Sequence, residues 1–436
     1  MDRVPADARA QRRATVGAFV GTAIEWYDFY VFGTAAALVF GKVFYPGAAP
    51  GAALMASFAT FWVGFLARPV GGLVFGHFGD RFGRKKTLIV TLLLMGSATA
   101  LIGVLPGYAA IGAAAPVLLI VLRAVQGLAV GGEWGGAVLL ATEHAPEGRK
   151  GRAGSWVQQG SPAGSILATV AFIAVGALPT EAFLSWGWRI PFLFSAVLVI
   201  VGLAIRAKVE EPAGFAALKA AHAVAKVPMV EVFRVAPLAV LLGIVASILG
   251  ISAAYFNNTF LLAWTTGELG MDRQVILDIL LATAVLQFIW QPLAARLAEK
   301  TGVLRLMFIA LAYALVAVVP LFLAILSGNT LFLAVMMCLN ILGGSAYYAL
   351  LATMLAEAFP VNVRYTGVSV AYQFCATLIG GSTPLLAQAI LVGQGPWGVA
   401  AFYAALIIAT AAGVWGLSRR LPASADRAEA PAVAAP

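Results

Sequence analysis

Glu25 and Asp28 stand three residues apart within an apolar run, in the order Glu25-Trp26-Tyr27-Asp28-Phe29-Tyr30. On a helix that spacing sets both carboxylates on roughly one face. An acidic or basic side chain at mid-membrane costs about 2.5 to 3.5 kcal/mol on insertion scales, so such groups face a cavity or a partner and are functional by default. Desolvation favours the protonated form of a carboxylate, which is what a proton-coupling site needs. Asp28 is the deeper of the two and the first choice for that role, with Glu25 beside it. A carboxylate that only ties helices together is the competing reading.

A fixed positive charge answers them in another apolar run, Arg123-Ala-Val-Gln126-Gly127-Leu-Ala-Val-Gly131-Gly132-Glu133. A guanidinium at membrane depth must meet an anion, either Asp28 or Glu25 or a substrate carboxylate held in a bidentate fork. Gln126, one turn away, adds an amide. Glu133, among glycines that allow close helix approach, reads as a gate or as structural polar glue. Arg68, before Pro69-Val-Gly71-Gly72, reads as structural. Tyr27, Gln158, Asn257, Tyr347 and Gln373 complete the candidate substrate contacts, accompanied at membrane depth by Asn258, Gln159, Gln287, Gln291 and Tyr348. Each alone is more often a helix-to-helix hydrogen bond than a ligand. Together they can line a midplane cavity drawn from both halves of the chain.

The elements that position these groups follow from composition. Of 436 residues 61% are apolar and only 11% charged, with a mean hydropathy of +0.93. Apolar runs of roughly 20 residues, each able to cross ~30 Å of hydrocarbon, recur throughout, so a large soluble domain is excluded. The two cysteines, Cys338 and Cys375, lie in apolar stretches and support neither a disulfide framework nor a zinc site. His77, His144 and His222 fall in expected loops or the linker, away from the intramembrane carboxylates, so no catalytic or metal constellation emerges. No cleavable leader is apparent at the polar N-terminus.

Twelve spans are expected at 17–40, 53–76, 87–105, 113–141, 153–177, 189–206, 235–260, 275–295, 303–326, 330–355, 366–391 and 397–417. The cations Arg3, Arg9, Arg12, Arg13, Arg81, Arg84, Lys85, Lys86, Arg149, Lys150, Arg152, Arg419 and Arg420 all gather on one side, against Lys42, Arg189 and Arg273 on the other. Positive charge collects on the cytoplasmic face, so both termini are expected there, and the net charge of +9 reflects topology rather than nucleic-acid binding. The polar stretch from 207 to 234 reads as a linker between two six-helix bundles, 1–206 and 235–421, followed by an Ala/Pro-rich disordered tail at 422–436.

Within the first bundle, Gly76-His-Phe-Gly-Asp80-Arg81-Phe-Gly-Arg84-Lys-Lys86 forms a dense charged hairpin. Its glycines make a tight turn, Asp80 can meet the positive end of a helix, and Arg84 can pair with carboxylates across the inner face, contacts that lock one conformation. Glu299-Lys300-Thr301-Gly302 occupies the same place in the second half, and Glu143, Pro146 and Lys150 repeat as Glu357, Pro360 and Arg364 at identical spacing. Two such matches favour an internal duplication.

The hairpin resembles the signature loop of the major facilitator superfamily. Glu25-Trp26-Tyr27-Asp28-Phe29, the stretch from Arg123 to Glu133, and Tyr365-Thr366-Gly367-Val368-Ser369 look like the metabolite:proton symporter family within it. The resemblance covers nearly the whole chain. It implies an all-α membrane protein of twelve helices in two bundles that imports a small organic acid or zwitterion with protons, with no cofactor beyond the coupling proton. Substrates of such proteins include shikimate, 2-oxoglutarate, citrate, other dicarboxylates, and betaine or proline. It further implies proton coupling at Asp28 and Glu25, substrate binding at Arg123, and gating at Asp80. Two departures qualify the match: Val303 stands where Arg84 would correspond, and the tail lacks the heptads of some osmosensory relatives.

The expectation is therefore a non-enzymatic, monomeric symporter of the cell membrane whose partners are a small carboxylated metabolite, protons and the bilayer, with no nucleic acid. A zwitterion importer is the rival within the class; a receptor that binds without transporting is the rival outside it.

Overall fold

The computed structural model describes residues 6–82, 84–131, 158–207, 228–360 and 363–420. Among them every regular element is helical, as the bilayer requires of a chain whose backbone groups find no water to bond. The first half contributes α1 (Ala6–Ala35), α2 (Pro50–Phe82), α3 (Arg84–Val104), α4 (Ala114–Gly131), α5 (Gly160–Gly176) and α6 (Arg189–Ala207). The second contributes α7 (Pro237–Gly267, in several pieces), α8 (Arg273–Thr301), α9 (Val303–Leu326), α10 (Thr330–Ala358), α11 (Arg364–Cys375) and α12 (Thr383–Ser418).

Local chemistry sets several boundaries. Asp272 caps α8 by accepting from Val275 N at 3.1 Å, and Asn329 caps α10 by accepting from Phe332 N at 3.0 Å. In the expected repeat α2 ends at Phe82 and α3 starts at Arg84, while α8 ends at Thr301 and α9 starts at Val303. Gly302 between the latter pair has φ 89°, a backbone that a side chain would strain.

Among the described residues nine helical stretches are long and apolar enough to cross a membrane. The first helix is not among them. Its own carboxylates, with the cations at its start, dilute the hydropathy that identifies the others. The stretch Thr366–Ser418 is 53 residues long and breaks at Gly395 (φ 73°), ahead of Pro396. Of the expected linker, Pro228–Val235 is helical and 208–227 lies outside the described residues. The expected tail, 422–436, lies outside them too.

In the first half α2 packs on α4, α1 on α5, and α3 on α6; in the second α9 and α8 pack on α10, and α7 on α12. The main seam between the halves is α5 against α8, joined by contacts of α2 with α11 and α12. Four short π-helical segments interrupt the helices: Ala36–Phe40 after α1, Phe183–Gly187 before α6, Phe256–Leu261 within α7, and Ala376–Gly380 after α11. The first and third touch each other, and α2 touches the first and the last.

Candidate functional site

Glycine lets α2 and α4 touch almost backbone to backbone. A Cβ on Gly127 would run into the Gly64 carbonyl, and one on Gly64 would fall 2.5 Å from Arg123 Nε. That close approach places the Arg123 guanidinium among four rings, its central carbon 4.1 Å from the centroid of Phe32, 4.4 Å from Phe29, 4.9 Å from Phe61 and 5.8 Å from Phe65. The negative ring faces stabilise a cation that cannot reach water. Arg123 is 0% exposed.

From this cation an aligned hydrogen-bond chain runs to Asp28. Arg123 Nη1 donates to Gln126 Oε1 at 3.1 Å, Gln126 Nε2 donates to Thr99 Oγ1 at 2.7 Å, and Thr99 Oγ1 donates to Asp28 Oδ2 at 2.8 Å. The Ser195 hydroxyl donates to the other carboxylate oxygen, Oδ1. Every donor in the chain points from the cation toward the anion, so each bond polarises the next. The guanidinium is also fixed by Nε donating to the Phe61 carbonyl at 3.2 Å. Asp28 and Arg123 thus communicate through two neutral side chains, on α4 and α3.

Glu25 turns elsewhere. The i, i+3 spacing suggests a shared face with Asp28, yet Asp28 meets α3 and α6 whereas Glu25 lies in electrostatic reach of the Tyr255 and Tyr348 hydroxyls in the second half. Aromatic side chains gather there. Trp26 stacks on Tyr30 at 5.6 Å and on Tyr255 at 6.2 Å, Tyr30 shares a 3.3 Å hydroxyl contact with Ser161, and the Tyr348 and Tyr372 hydroxyls are 3.0 Å apart. Gln158 faces the Tyr348 hydroxyl.

The other sequence candidates divide. Tyr27 is buried against α6, donating to the Pro191 carbonyl at 2.7 Å. Tyr347 donates to the Ala246 carbonyl inside the second half. Asn257 donates to its own helix at Ala253 O (2.7 Å) and faces Tyr403. Their sequence neighbours meet the first half instead: Tyr348 as above, and Asn258, whose Oδ1 is 3.5 Å from Ser165 Oγ. Adjacent helical residues point about 100° apart, so hydropathy alone does not choose between them. Gln373 is half-buried on α11 with its Oε1 unpartnered. Glu133 and the side chains of Asp80, Arg81 and Arg84 lie outside the described residues. Tyr255, Thr99 and Ser195 carry no sequence signal, because hydroxyls in apolar helices usually bond their own backbone.

The halves are tied at two levels. At the end away from the hairpin Arg273 Nη2 donates to the carbonyls of Gly176 (2.6 Å) and Leu178 (3.1 Å); nearer the middle of α2, Trp62 Nε1 donates to Thr377 O at 2.7 Å and Thr377 Oγ1 donates to Phe65 O at 3.1 Å.

A helical body split by a seam, with buried charge beside it, is the architecture of a membrane carrier, and comparison with known proteins agrees. The Major Facilitator Superfamily profile matches residues 18–378 and 242–436. The chain is 41% identical over 398 residues to the shikimate transporter of Escherichia coli K12, covering 90% of this chain and 91% of that one. It is 39% identical to the inner membrane metabolite transport protein YhjE of the same organism (91% and 92% covered), and 33% identical to the proline/betaine transporter of Salmonella typhimurium (94% and 83%). In fold it is similar to a D-xylose-proton symporter, with a TM-score of 0.74 at 17% identity over 94% of this chain and 98% of the other. The chain belongs to the Major Facilitator Superfamily. It is a multi-pass protein of the cell membrane and a metabolite transporter, not an enzyme.

Proposed function

We propose that this protein is a proton-coupled symporter that imports a small carboxylated metabolite, shikimate or a dicarboxylate, by alternating access. The observation that carries the reading is the chain Asp28–Thr99–Gln126–Arg123, a buried ion pair relayed through hydrogen bonds. In the deprotonated state the Asp28 carboxylate balances Arg123. Protonation removes the anion that accepts from Thr99 and Ser195, loosens the relay and frees positive potential. A substrate anion then enters more favourably, so proton and acid bind with positive linkage and the empty deprotonated carrier does not leak. Glu25, Gln158, Asn258, Tyr348 and Gln373 present polar groups along the seam, while Tyr27, Asn257 and Tyr347 support them from within each half. Asp80, Arg81, Arg84 and Glu133 act as the gate at the hairpin end.

The proposed topology is twelve spans in two bundles, 1–206 and 235–421, with both termini cytoplasmic and a monomeric carrier. The nine apolar stretches support it once the long one is counted as two passes at Gly395 and α1 and α5 are added. With the hairpin inside, the tie through Arg273 closes the outer end and those through Trp62 and Thr377 hold the seam nearer mid-membrane, giving an inward-facing or occluded state.

Uptake into proteoliposomes tests the reading. Labelled shikimate, dicarboxylates and betaine are offered with an inward proton gradient imposed or collapsed. One acid is expected to accumulate and to stop when the gradient collapses. Gradient-independent equilibration would mean a uniporter, accumulation of betaine alone a zwitterion importer, and binding without flux a receptor.

A further inference from the structure

Arg68 is a second intramembrane cation that the relay does not use. It lies one turn beyond Gly64 on α2, is 6% exposed, and its Nε has no hydrogen-bond partner. Its guanidinium carbon is 4.2 Å from the Phe29 centroid and 4.3 Å from that of Phe65. The Phe29 ring centroid therefore stands within 4.4 Å of both guanidinium carbons, those of Arg68 and Arg123, so one ring is shared by two like charges.

The two arginines differ in what they face. Arg123 is held mainly by its own half, with Nε and Nη1 committed to Phe61 and Gln126 and Nη2 unpartnered like the Arg68 Nε, and it makes no side-chain hydrogen bond across the seam to Tyr255. Arg68 shares its helix face with Phe65, whose ring is 5.1 Å from Tyr255 and whose carbonyl accepts from Thr377, so that face meets the second half. The Arg68 guanidinium itself faces the Tyr255 hydroxyl across the seam. A buried N–H without a partner is costly unless something arrives to accept from it. A planar carboxylate is the natural acceptor for a guanidinium edge.

Formal charge points the same way. Among the described residues the buried charged side chains are Glu25, Asp28, Arg68 and Arg123. Their charges cancel, so protonating either carboxylate leaves one guanidinium uncompensated. A monoanionic substrate restores neutrality.

We propose that Arg68, rather than Arg123, receives the carboxylate of the transported acid, with Tyr255 closing over it from the second half. The assignment rests on the transport reading above and names its anion-binding residue. The test is entrance counterflow of labelled shikimate in proteoliposomes, which needs no proton gradient, competed by shikimate or by its uncharged methyl ester. Wild type is expected to favour acid over ester at least tenfold. In Arg68→Gln the half-saturation concentration for shikimate should rise about tenfold or more and the preference fall to near one, while Arg68→Lys should keep part of it. An unchanged preference in Arg68→Gln overturns the proposal. If that variant fails to fold, Arg68→Lys decides: a wild-type preference and half-saturation overturn it, and a loss in both supports it. Wild type that exchanges no carboxylate would overturn the transport reading and this assignment together, whereas wild-type exchange with an unaltered preference in the variants overturns this assignment alone.

Discussion

The two halves of the chain solve the same packing problem with different chemistry. Among the described residues, Glu25, Asp28, Arg68 and Arg123 are all buried at membrane depth in the first half, whereas the buried polar groups of the second are neutral, among them Asn257, Gln291, Asn340, Thr377 and Gln388. Charge is costly to bury and answers to protons and voltage, whereas hydroxyls and amides do neither. The difference teaches that an internal duplication need not share labour equally. On the proposed reading the charged half couples and holds the substrate carboxylate, and the neutral half closes over it.

Neutralising Asp28 gives the sharpest separation. Asp28→Asn should abolish accumulation against a gradient, leaving equilibration only, while counterflow exchange persists. If the variant still accumulates substrate, Asp28 is not the coupling carboxylate, and accumulation that also survives Glu25→Gln would remove coupling from the charged half. Removing a link in the relay is expected to act less severely. Thr99→Val takes one hydrogen bond from Asp28, and bonds to charged groups contribute about 1.5–3 kcal/mol, so gradient-driven uptake should fall roughly tenfold or more in a variant that still folds. On the neutral side Tyr255→Phe should raise the half-saturation concentration a few-fold with the accumulation ratio unchanged. Loss of coupling in that variant would break the comparison from the other direction. Thr377→Val, which deletes the hydroxyl bond to the Phe65 carbonyl, should cost about 1 kcal/mol of the closed seam. A cysteine placed beside Trp62 should then react a few-fold faster with a membrane-impermeant thiol reagent.

Much of this was readable from residue types. Uninterrupted apolar runs define the helices because a bilayer leaves backbone groups no alternative, and Gly302 marks the turn between α8 and α9. Asp28, Arg123 and Gln126 stand out because charge and amide are so expensive at that depth. The failures are equally physical. The span containing Glu25 and Asp28 loses hydropathy through the groups that make it interesting. Tyr347 and Asn257 bond within the second half while Tyr348 and Asn258 meet the first, since one residue on a helix changes the direction of a side chain without changing any composition. Thr99 and Ser195 were invisible because their usual partner is the preceding turn. Arg68 looked structural beside Pro69, and only its place at the seam, with an unpartnered Nε and two rings around it, gives it another reading.

The wide π-helical turns bear on the order in which the molecule yields. Ala36–Phe40 and Phe256–Leu261 touch one another across the halves, and Ala376–Gly380 meets α2 where Trp62 and Phe65 hold Thr377. Such turns are rare and recur at functional sites, and each interrupts the regular ladder of the α-helix around it. The layer that joins the halves is thus also the layer where that ladder is broken. In a hydrogen-exchange time course its protons should be the first of the intramembrane set to be lost, and ligand that slows them would be acting as a latch on the hinge itself.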